Sequence, residues 1–443
     1  MKKLLLCLLL PTVTITYPQN PKLDLSEEMS EPKRSTIYDI IGTSSDAFYA
    51  VRVDVDFLKA KLTIERYDKN YNVKISEELE MEADGDDLQY ENTILFNQKL
   101  YVFGSHFSRK EDVEKLYAFE MDPTTLRINP KANLVATIES KRNSEFSFDI
   151  SKNEQYLSIV SFPGTDDDNV YAYTINVYAG NLEEKWSDGV KNTYEAYTFY
   201  AKRAQVDDAG NVYVMAIKYD ESIKVFKLGK PSYSYLLISH TEEGEQVDSY
   251  KLALRSGKFI VDINFRVMEN GTVVCGGFYS DKFGGGYSGV CFFSFNPATG
   301  SFEQEGFKEF DKNELSEFMS ERRAEKGKDI YNFDLRDFIL REDGGIVMIA
   351  EYFTIVTNTY TSTNGTTRTT YTYYYNSLLV ANVSPDMSID WVQAIPKRQI
   401  TSNDSGYYSS YTSMVTGSDI YVMFNDDAKN LDNLSENDRL ANF

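Results

Sequence analysis

Histidine is almost missing from this chain of 443 residues, which contains only His106 and His240. Metal binding or general-base catalysis by a histidine cluster is therefore nearly excluded. Basic charge is also scarce, because 46 Lys and Arg stand against 68 Asp and Glu, which leaves a net charge of −22. A surface of that sign repels a phosphate backbone, so we expect no nucleic-acid partner.

Long apolar stretches are missing as well. The run Leu4–Leu10 is too short to cross a membrane, and it follows two lysines. Together with Thr14–Thr16 as a weak cleavage site, it predicts a signal peptide over residues 1–16. Cys7 lacks the small preceding residue that a lipid anchor needs. We therefore expect an exported protein without a transmembrane span, located in the periplasm, on the cell surface or outside the cell.

Cysteine is rare, and export would leave only Cys275 and Cys291. They flank one predicted hairpin whose midpoint lies near Phe283, so they could face each other across two strands. Two alternatives stay open. One is a disulfide; the other is a pair of buried free thiols that pack as small apolar residues.

Aromatic residues are abundant, at 14% of the chain, which favours β structure. One pattern recurs, in which a short strand and a polar turn precede an apolar strand. Clear copies occupy Val206–Met215, Val267–Val274 and Leu340–Met348, and weaker copies turn near Asp46, Gln98, Glu154 and Ser418.

A second hairpin follows six of these copies. Its polar turns lie at Tyr67–Asn70, Met121–Thr124, Tyr178–Asn181, His240–Gly244, Asn296–Gly300 and Ser384–Met387. Two hairpins form a four-stranded unit of roughly 50 residues, the size of a propeller blade. Strands such as Ile346–Ala350 are apolar on both faces, which suits a sheet packed between two neighbours.

The fold predicted from these repeats is an all-β propeller of seven four-stranded blades. The seventh repeat has only its first hairpin, Ser413–Asn425, so we expect an incomplete last blade and an early stop of the chain. The predicted domains are the signal peptide at 1–16, an N-terminal linker at 17–35 and the propeller at 36–443.

Three insertions interrupt the repeats. Asp311–Lys326 is predicted as an amphipathic helix that presents Leu315, Phe318 and Met319 on one face. Thr354–Tyr375 has Asn-Gly at its centre, which predicts a long protruding β-hairpin. The glycine-rich loop Phe283–Gly289 lacks the lysine of a phosphate-binding loop.

The chain resembles an uncharacterised family of exported bacterial proteins with β-propeller-like repeats. The resemblance is densest from Cys275 to Asp426 and implies the propeller architecture and export, without an assigned activity. The stretches that carry it are Cys275–Ser280, Leu340–Gly345, Ala350–Tyr352, Tyr374–Asn376, Trp391, Ile395–Gln399, Gly406–Tyr411 and Phe424–Asp426.

The candidate site lies in the sixth and seventh repeats. Glu351 follows an apolar strand and should enter a largely apolar layer, where a carboxylate needs a cation or several donors. The residues predicted to gather around it as a binding site are Arg341, Lys397, Arg398, Gln399, Asp404, Tyr407 and Tyr408. The alternative is structural: Glu351 pairs with Lys397 or Arg398 and links two blades.

Catalytic and metal signatures are weak. A glycosidase needs two carboxylates about 5–10 Å apart, and sequence spacing among 68 acidic residues does not identify such a pair. The Gly-x-Ser-x-Gly motif does not occur, and His106 is expected to be a strand-end residue. The acidic turns Asp84–Asp87 and Asp166–Asn169 lack the spacing of a calcium loop, so no metal and no cofactor are expected.

Three functions remain open at this point. The first is a non-catalytic binding or scaffold module of the bacterial cell envelope, whose ligand is a protein, peptide or glycan. We expect this module to be a monomer. The second is a carboxylate-based glycan hydrolase or lyase. The third is a structural subunit of a cell-surface assembly that docks through the helix and the hairpin.

Overall fold

The computed structural model describes residues 35–442 except 56–59, 165–170, 192–197, 221–225, 228–229, 282–285, 363–364, 417–418 and 431–439. The predicted signal peptide and nearly all of the predicted linker lie outside the described residues. The same holds for the turn at Asp166–Asn169, for Ser418, and for parts of the glycine-rich loop, of the Asn-Gly turn and of the C-terminal tail.

Within the described ranges the chain forms six four-stranded antiparallel sheets, which follow one another along the sequence. Sheet 1 contains β1 (Ser35–Thr43), β2 (Ala47–Val55), β3 (Ala60–Asp68) and β4 (Val73–Glu78). After the small hairpin β5 (Glu82–Ala83) and β6 (Asp86–Asp87), sheet 2 contains β7 (Gln89–Phe96), β8 (Lys99–Ser108), β9 (Val113–Met121) and β10 (Asn133–Glu139). Sheet 3 contains β11 (Arg142–Ile150), β12 (Tyr156–Gly164), β13 (Tyr171–Ala179) and β14 (Glu183–Lys191).

The remaining sheets continue the same order. Sheet 4 contains β15 (Phe199–Val206), β16 (Val212–Tyr219), β19 (Tyr233–Thr241) and β20 (Gln246–Leu252), with the short strands β17 (Phe226–Lys227) and β18 (Lys230–Pro231) between. Sheet 5 contains β21 (Phe259–Val267), β22 (Val273–Ser280), β23 (Gly289–Asn296) and β24 (Ser301–Glu309). Sheet 6 contains β25 (Phe333–Leu340), β26 (Ile346–Thr361), β27 (Thr367–Val383) and β28 (Ile389–Ser402).

The predicted β-propeller class is confirmed, but with six complete blades. Each four-stranded meander is one blade, and every described turn of the two predicted hairpin series joins the expected strands. The seventh repeat is a two-stranded terminal hairpin of β29 (Thr412–Thr416) and β30 (Asp419–Met423). The seven-blade count is therefore not confirmed.

The chain divides into two compact units. The smaller comprises Met1–Glu80, Thr93–Leu100 and Glu120–Asn129 and contains sheet 1. The larger comprises Met81–Asn92, Tyr101–Phe119 and Pro130–Phe443 and contains sheets 3 to 6 and the terminal hairpin. The features below belong to the larger unit.

Alternating side chains of one strand reach two cores, which confirms the expectation of strands that are apolar on both faces. In β26, Ile346 and Met348 pack in the core between sheets 5 and 6. Their neighbours Val347 and Ile349 pack on the other face, towards the terminal hairpin. Burial of each such side chain contributes about 1.5–3 kcal/mol, so sheet 6 is stabilised both by sheet 5 and by the terminal hairpin.

The predicted helix forms as two short helices, α1 (Lys312–Phe318) and α2 (Glu321–Ala324). Asp311 caps α1 in a capping box with Glu314, a pairing that satisfies free backbone N–H groups. The continuous helix was wrong because Met319 adopts extended backbone angles and Ser320, a residue that favours N-caps, starts a new helix.

The predicted long hairpin is confirmed. Strands β26 and β27 run for 16 and 17 residues, about twice the length of most other blade strands. Strand β28 follows them outward, since Thr372 still pairs with Ser402.

Candidate functional site

A cleft of about 570 Å³ opens beside sheet 6 and the two helices. Its wall combines aromatic, amide and cationic side chains with a single carboxylate among the described residues. The lining residues are Phe318, Met319, Arg323, Asp329, Ile330, Tyr331, Asn332, Phe333, Tyr352, Asn376, Ser377, Lys397, Arg398 and Leu440. Clefts of this size hold small ligands.

A buried ion pair joins β26 and β28 across β27 in sheet 6, and its Lys397 is one of the residues that line the cleft. The Lys397 Nζ donates to Glu351 Oε1 at 2.7 Å, and both side chains are fully buried. Lys397 also donates to the Tyr375 carbonyl at 3.0 Å and to Gln399 Oε1 at 2.8 Å. All three ammonium protons therefore have acceptors, which is what a buried charge requires.

The second Glu351 oxygen is equally satisfied. Ser410 Oγ donates to Glu351 Oε2 at 2.7 Å, and Arg336 Nε lies 3.4 Å from the same atom. Ser410 N donates in turn to Gln399 Oε1 at 2.7 Å. The network therefore fixes the segment that leads to the terminal hairpin.

Strand irregularities bring these groups together. Strand β26 has a bulge between Glu351 and Phe353, and the pairing of β27 with β28 shifts between Asn376 and Leu378. Pro396 has no N–H to give to a ladder, so it suits an irregular position. A bulge changes which side chains face inward, and here the side chains of Lys397 and Glu351 meet across β27.

Burial is the largest influence on the pKa of Lys397. Desolvation lowers the pKa of Lys397, and the hydrogen bond and charge of Glu351 act in the opposite direction. The nearby Tyr411 hydroxyl donates to Asp337 at 2.9 Å, and burial raises the pKa of that phenol.

The residues predicted from the sequence to form one binding site lie in different parts of the structure. Lys397, Arg398 and Gln399 lie within β28, in the same sheet as Glu351, and not in a connection to the next blade. The ion pair thus joins strands of one blade, not two blades. Arg341 is remote from it: it pairs with Asp343 and donates to Asn382 at the opposite end of β25.

Asp404, Tyr407 and Tyr408 belong to the loop after β28. Asp404 accepts from the Gly406 N–H at 2.9 Å and so shapes the turn. Tyr407 and Tyr408 are exposed and form an edge-to-face pair with ring centres 4.7 Å apart. None of the three lines the cleft.

An aromatic wall, which sequence reasoning missed, supports one side of the cleft. Phe318 meets Phe333 edge to face at 5.1 Å, and Phe333 meets Tyr352 in the same way at 6.0 Å. Tyr331 is 44% exposed beside them. The apolar helix face gave the signal for Phe318 and Met319, but no repeat pattern marked Tyr331.

Two other carboxylates have perturbed acidities. Burial and the nearby Glu114 raise the pKa of Glu91, although Ser105 Oγ donates to it at 2.6 Å. Burial raises the pKa of Asp149 to about 6, and its carboxylate accepts from Val206 N at 2.8 Å. Neither residue lines the cleft.

The cysteines and His106, which the sequence offered as further candidates, make contacts that belong to the fold and not to the cleft. Cys275 pairs in register with Phe293 and Cys291 with Gly277, so the two cysteines are offset and do not face each other; both are buried and free. His106 lies within β8, 3.4 Å from Asp86. Among the described residues, no group of three or more His, Cys, Asp and Glu is placed to hold a metal ion.

His240, which begins one of the predicted turns, is buried in the larger unit. Its Nε2 lies 3.0 Å from the Tyr173 hydroxyl, and its Nδ1 lies 3.5 Å from Asp188. Burial lowers the pKa of His240, and the charge of Asp188 opposes that shift.

Comparison with known proteins gives likeness at the level of structure. Neither a protein-family profile nor a curated protein matches the chain. An α-L-arabinanase from Penicillium chrysogenum is 14% identical, with a TM-score of 0.36, over 79% of this chain and 90% of that one. A periplasmic gluconolactonase from Pseudomonas aeruginosa is 10% identical, with a TM-score of 0.36, over 81% and 85%.

Prolyl oligopeptidase B from Galerina marginata is a third similar structure. It is 8% identical, with a TM-score of 0.41, over 86% of this chain and 53% of that one. At these identities and TM-scores the likenesses carry no information about activity. No helix among the described residues is long and apolar enough to cross a membrane.

Proposed function

We propose that this protein is an exported, non-catalytic binding module whose ligand occupies the cleft beside sheet 6. The observation that carries the proposal is the composition of the cleft wall. Aromatic faces, amides and guanidinium groups converge there, whereas Asp329 is the single carboxylate among the described lining residues. Such a wall recognises a ligand through contact and hydrogen bonding.

The same wall argues against carboxylate chemistry at this place. Hydrolysis of a glycosidic bond needs two carboxyl groups that both reach the substrate. Glu351 is adjacent to the cleft, but it is fully buried and both of its oxygens have partners. Its role is therefore to hold Lys397 and Ser410 in position.

Binding can be tested with an exposed aromatic of the wall. The Tyr331→Ala variant should weaken binding of oligosaccharides or peptides from a screening panel about fivefold, since stacking contacts contribute on the order of 1 kcal/mol. Tyr200→Ala is the matched control, because Tyr200 is similarly exposed, at 48%, and does not line the cleft. Calorimetric binding constants that are equal for both variants would reject the cleft as the binding site.

A second candidate, a carboxylate-based glycan hydrolase or lyase, is favoured by the pair Glu91 and Glu114. A carboxyl group with a raised pKa beside a second carboxylate is the arrangement of a general acid. Release of reducing sugar from a panel of polysaccharides that includes arabinan would support it, provided that Glu91→Gln abolishes the release. Loss of ligand binding in the same variant, without any turnover by the wild type, would count against it.

A structural subunit remains the third proposal. Its docking elements would be the long hairpin and the helices. The exposed apolar side chains of the hairpin divide between its two faces, since Ile355 and Tyr371 lie on one face and Val356 and Tyr360 on the other. This division favours the cleft over the hairpin as the principal contact surface.

A further inference from the structure

We infer that the ligand of the cleft is an acidic glycan, recognised through the carboxylate of a hexuronate residue. This inference rests on the proposed binding function and names the ligand class. It follows from three observations: the charges of the cleft wall, the covered edge of β28 beside the cleft, and the aromatic side chains of the wall.

Two guanidinium groups of the cleft have no carboxylate partner among the described residues. Arg398 donates from Nη1 to the Leu440 carbonyl at 3.0 Å, which leaves most of its N–H donors free for a ligand. Arg323 is exposed on α2. Elsewhere in the larger unit, Arg341 pairs with Asp343, and Lys258 pairs with Asp281. In a chain of net charge −22, two such arginines lining one cleft are available to a negatively charged ligand.

The charge balance of the wall matches a monoanion. Lys397 and Glu351 neutralise each other, and Asp329 offsets one of the two arginines. One positive charge remains, which complements a carboxylate better than a phosphate or a sulfate cluster. Guanidinium groups bind a carboxylate in a bidentate fork, which adds orientation to the attraction.

The neighbouring strand edge favours a glycan over a peptide. An extended peptide binds by adding to an open edge through backbone hydrogen bonds. Here Asn442 covers β28, because it accepts from Ile400 N at 2.7 Å and donates to the Ile400 carbonyl at 2.9 Å. Arg398 holds the same segment through Leu440. Near Ile400, therefore, the backbone of β28 is not open to an added peptide strand, and a ligand must be recognised by side chains.

The remaining wall suits a sugar ring. Tyr331 and Tyr352 offer aromatic surface to the apolar face of a pyranose, and Asn332 and Ser377 offer hydrogen-bonding groups to its hydroxyls. Asn376 adds an Oδ1 without a hydrogen-bond partner among the described residues. A buried acceptor in that state is often completed by water or a ligand.

The test compares trimers of galacturonate, glucuronate and mannuronate with their neutral methyl esters, by calorimetry at about 0.1 M salt. At least one acid should bind about tenfold more tightly than its ester. Arg398→Met and Arg323→Met should each remove most of that preference. Arg322→Met is the matched control, since Arg322 lies on the same helix and does not line the cleft.

The outcomes separate the inference from the function on which it rests. Equal binding of acids and esters, both weakened by Tyr331→Ala, would overturn the acidic ligand and leave the binding module intact. Tighter binding of a glutamate trimer or of a sulfated trisaccharide would overturn the hexuronate assignment. Binding that is unaffected by Tyr331→Ala and by both arginine variants would reject the cleft itself.

Discussion

Glu351 and Lys397 show how a fully buried charge is retained in a β-sheet core. Each member has a charged partner and further hydrogen bonds, so the cost of desolvation is offset within the network. Burial still lowers the pKa of Lys397. The pair is therefore a positioning element, which sets the place of β28 and of Arg398 beside the cleft.

Removal of the Glu351 charge should reveal the desolvation cost of the buried Lys397 ammonium group. We expect Glu351→Gln to reduce the free energy of unfolding by about 3–5 kcal/mol, because it leaves Lys397 buried without a counter-charge. The double variant Glu351→Gln/Lys397→Met should lose less than the two single variants together. Denaturant unfolding of the four proteins gives the coupling energy, and additive losses would contradict a direct interaction.

Burial of Asp149 predicts a pH dependence of stability opposite in sign to that of a carboxylate whose pKa is lowered by an ion pair. Its pKa is raised to about 6 by burial, so the folded protein keeps a proton that the unfolded chain releases near pH 4. Stability from this group is fully present below pH 4 and is lost as the pH rises to about 6. The effect is on the order of 2–3 kcal/mol, since each unit of pKa shift corresponds to about 1.4 kcal/mol.

Asp149→Asn isolates this contribution. The amide can still accept from Val206 N, but it does not ionise. We expect the variant to gain stability relative to the wild type as the pH rises from 4 to 7, measured by denaturant unfolding at each pH. A difference between the two proteins that does not change with pH would show that Asp149 titrates normally.

At the scale of elements, the close approach of strands to neighbouring sheets is set by glycines. A Cβ on Gly306 of β24 would lie 1.9 Å from the Met387 carbonyl, in the turn between β27 and β28. Contact at that distance is impossible without movement of backbone. Gly306 therefore permits sheets 5 and 6 to pack along this edge.

The Gly306→Ala variant should lose roughly 1–3 kcal/mol of stability, the range for overpacked sites. Gln304→Ala in the same strand is the control, since Gln304 is exposed. Thermal unfolding should show a lower midpoint for the glycine variant alone. Equal midpoints for the two variants would mean that the strand moves away without cost.

Hairpins and strand order could be predicted from the sequence because turn chemistry is local. Asn-Gly, Asp-Gly and Asp-Ala-Gly-Asn sequences fix the backbone within a few residues, as at Gly210 and Gly344, which have positive φ angles. The cleft could not be predicted in this way. It depends on the bulge beside Glu351, on the break at Met319 and on the return of the chain at Leu440, which no periodic pattern encodes.

At the scale of the whole molecule, each blade of the larger unit depends on its neighbours for burial. The terminal hairpin covers sheet 6, where Ile420 and Val422 pack against the cluster that contains Val347 and Ile349. Burial of these side chains stabilises sheet 6 on the face that does not contact sheet 5. The hairpin is therefore part of the fold, although it is only half a blade.

Ile420→Asp should lower stability by roughly 2 kcal/mol or more, since it places a charge in that cluster. Met414→Asp is the control, because Met414 lies on the same hairpin and is 48% exposed. A reduced midpoint in thermal unfolding is expected for the first variant only. If both variants unfold like the wild type, the hairpin does not contribute to the core of sheet 6.

The two free cysteines allow opening of the core around sheet 5 to be measured by thiol labelling. Cys275 and Cys291 have no exposed surface, and burial raises the pKa of both thiols. An alkylating reagent can reach them only in molecules in which the core between sheets 4 and 5 has opened. The rate at which the peptides containing Cys275 and Cys291 become labelled, measured by mass spectrometry, therefore gives the frequency of this opening in the wild-type protein.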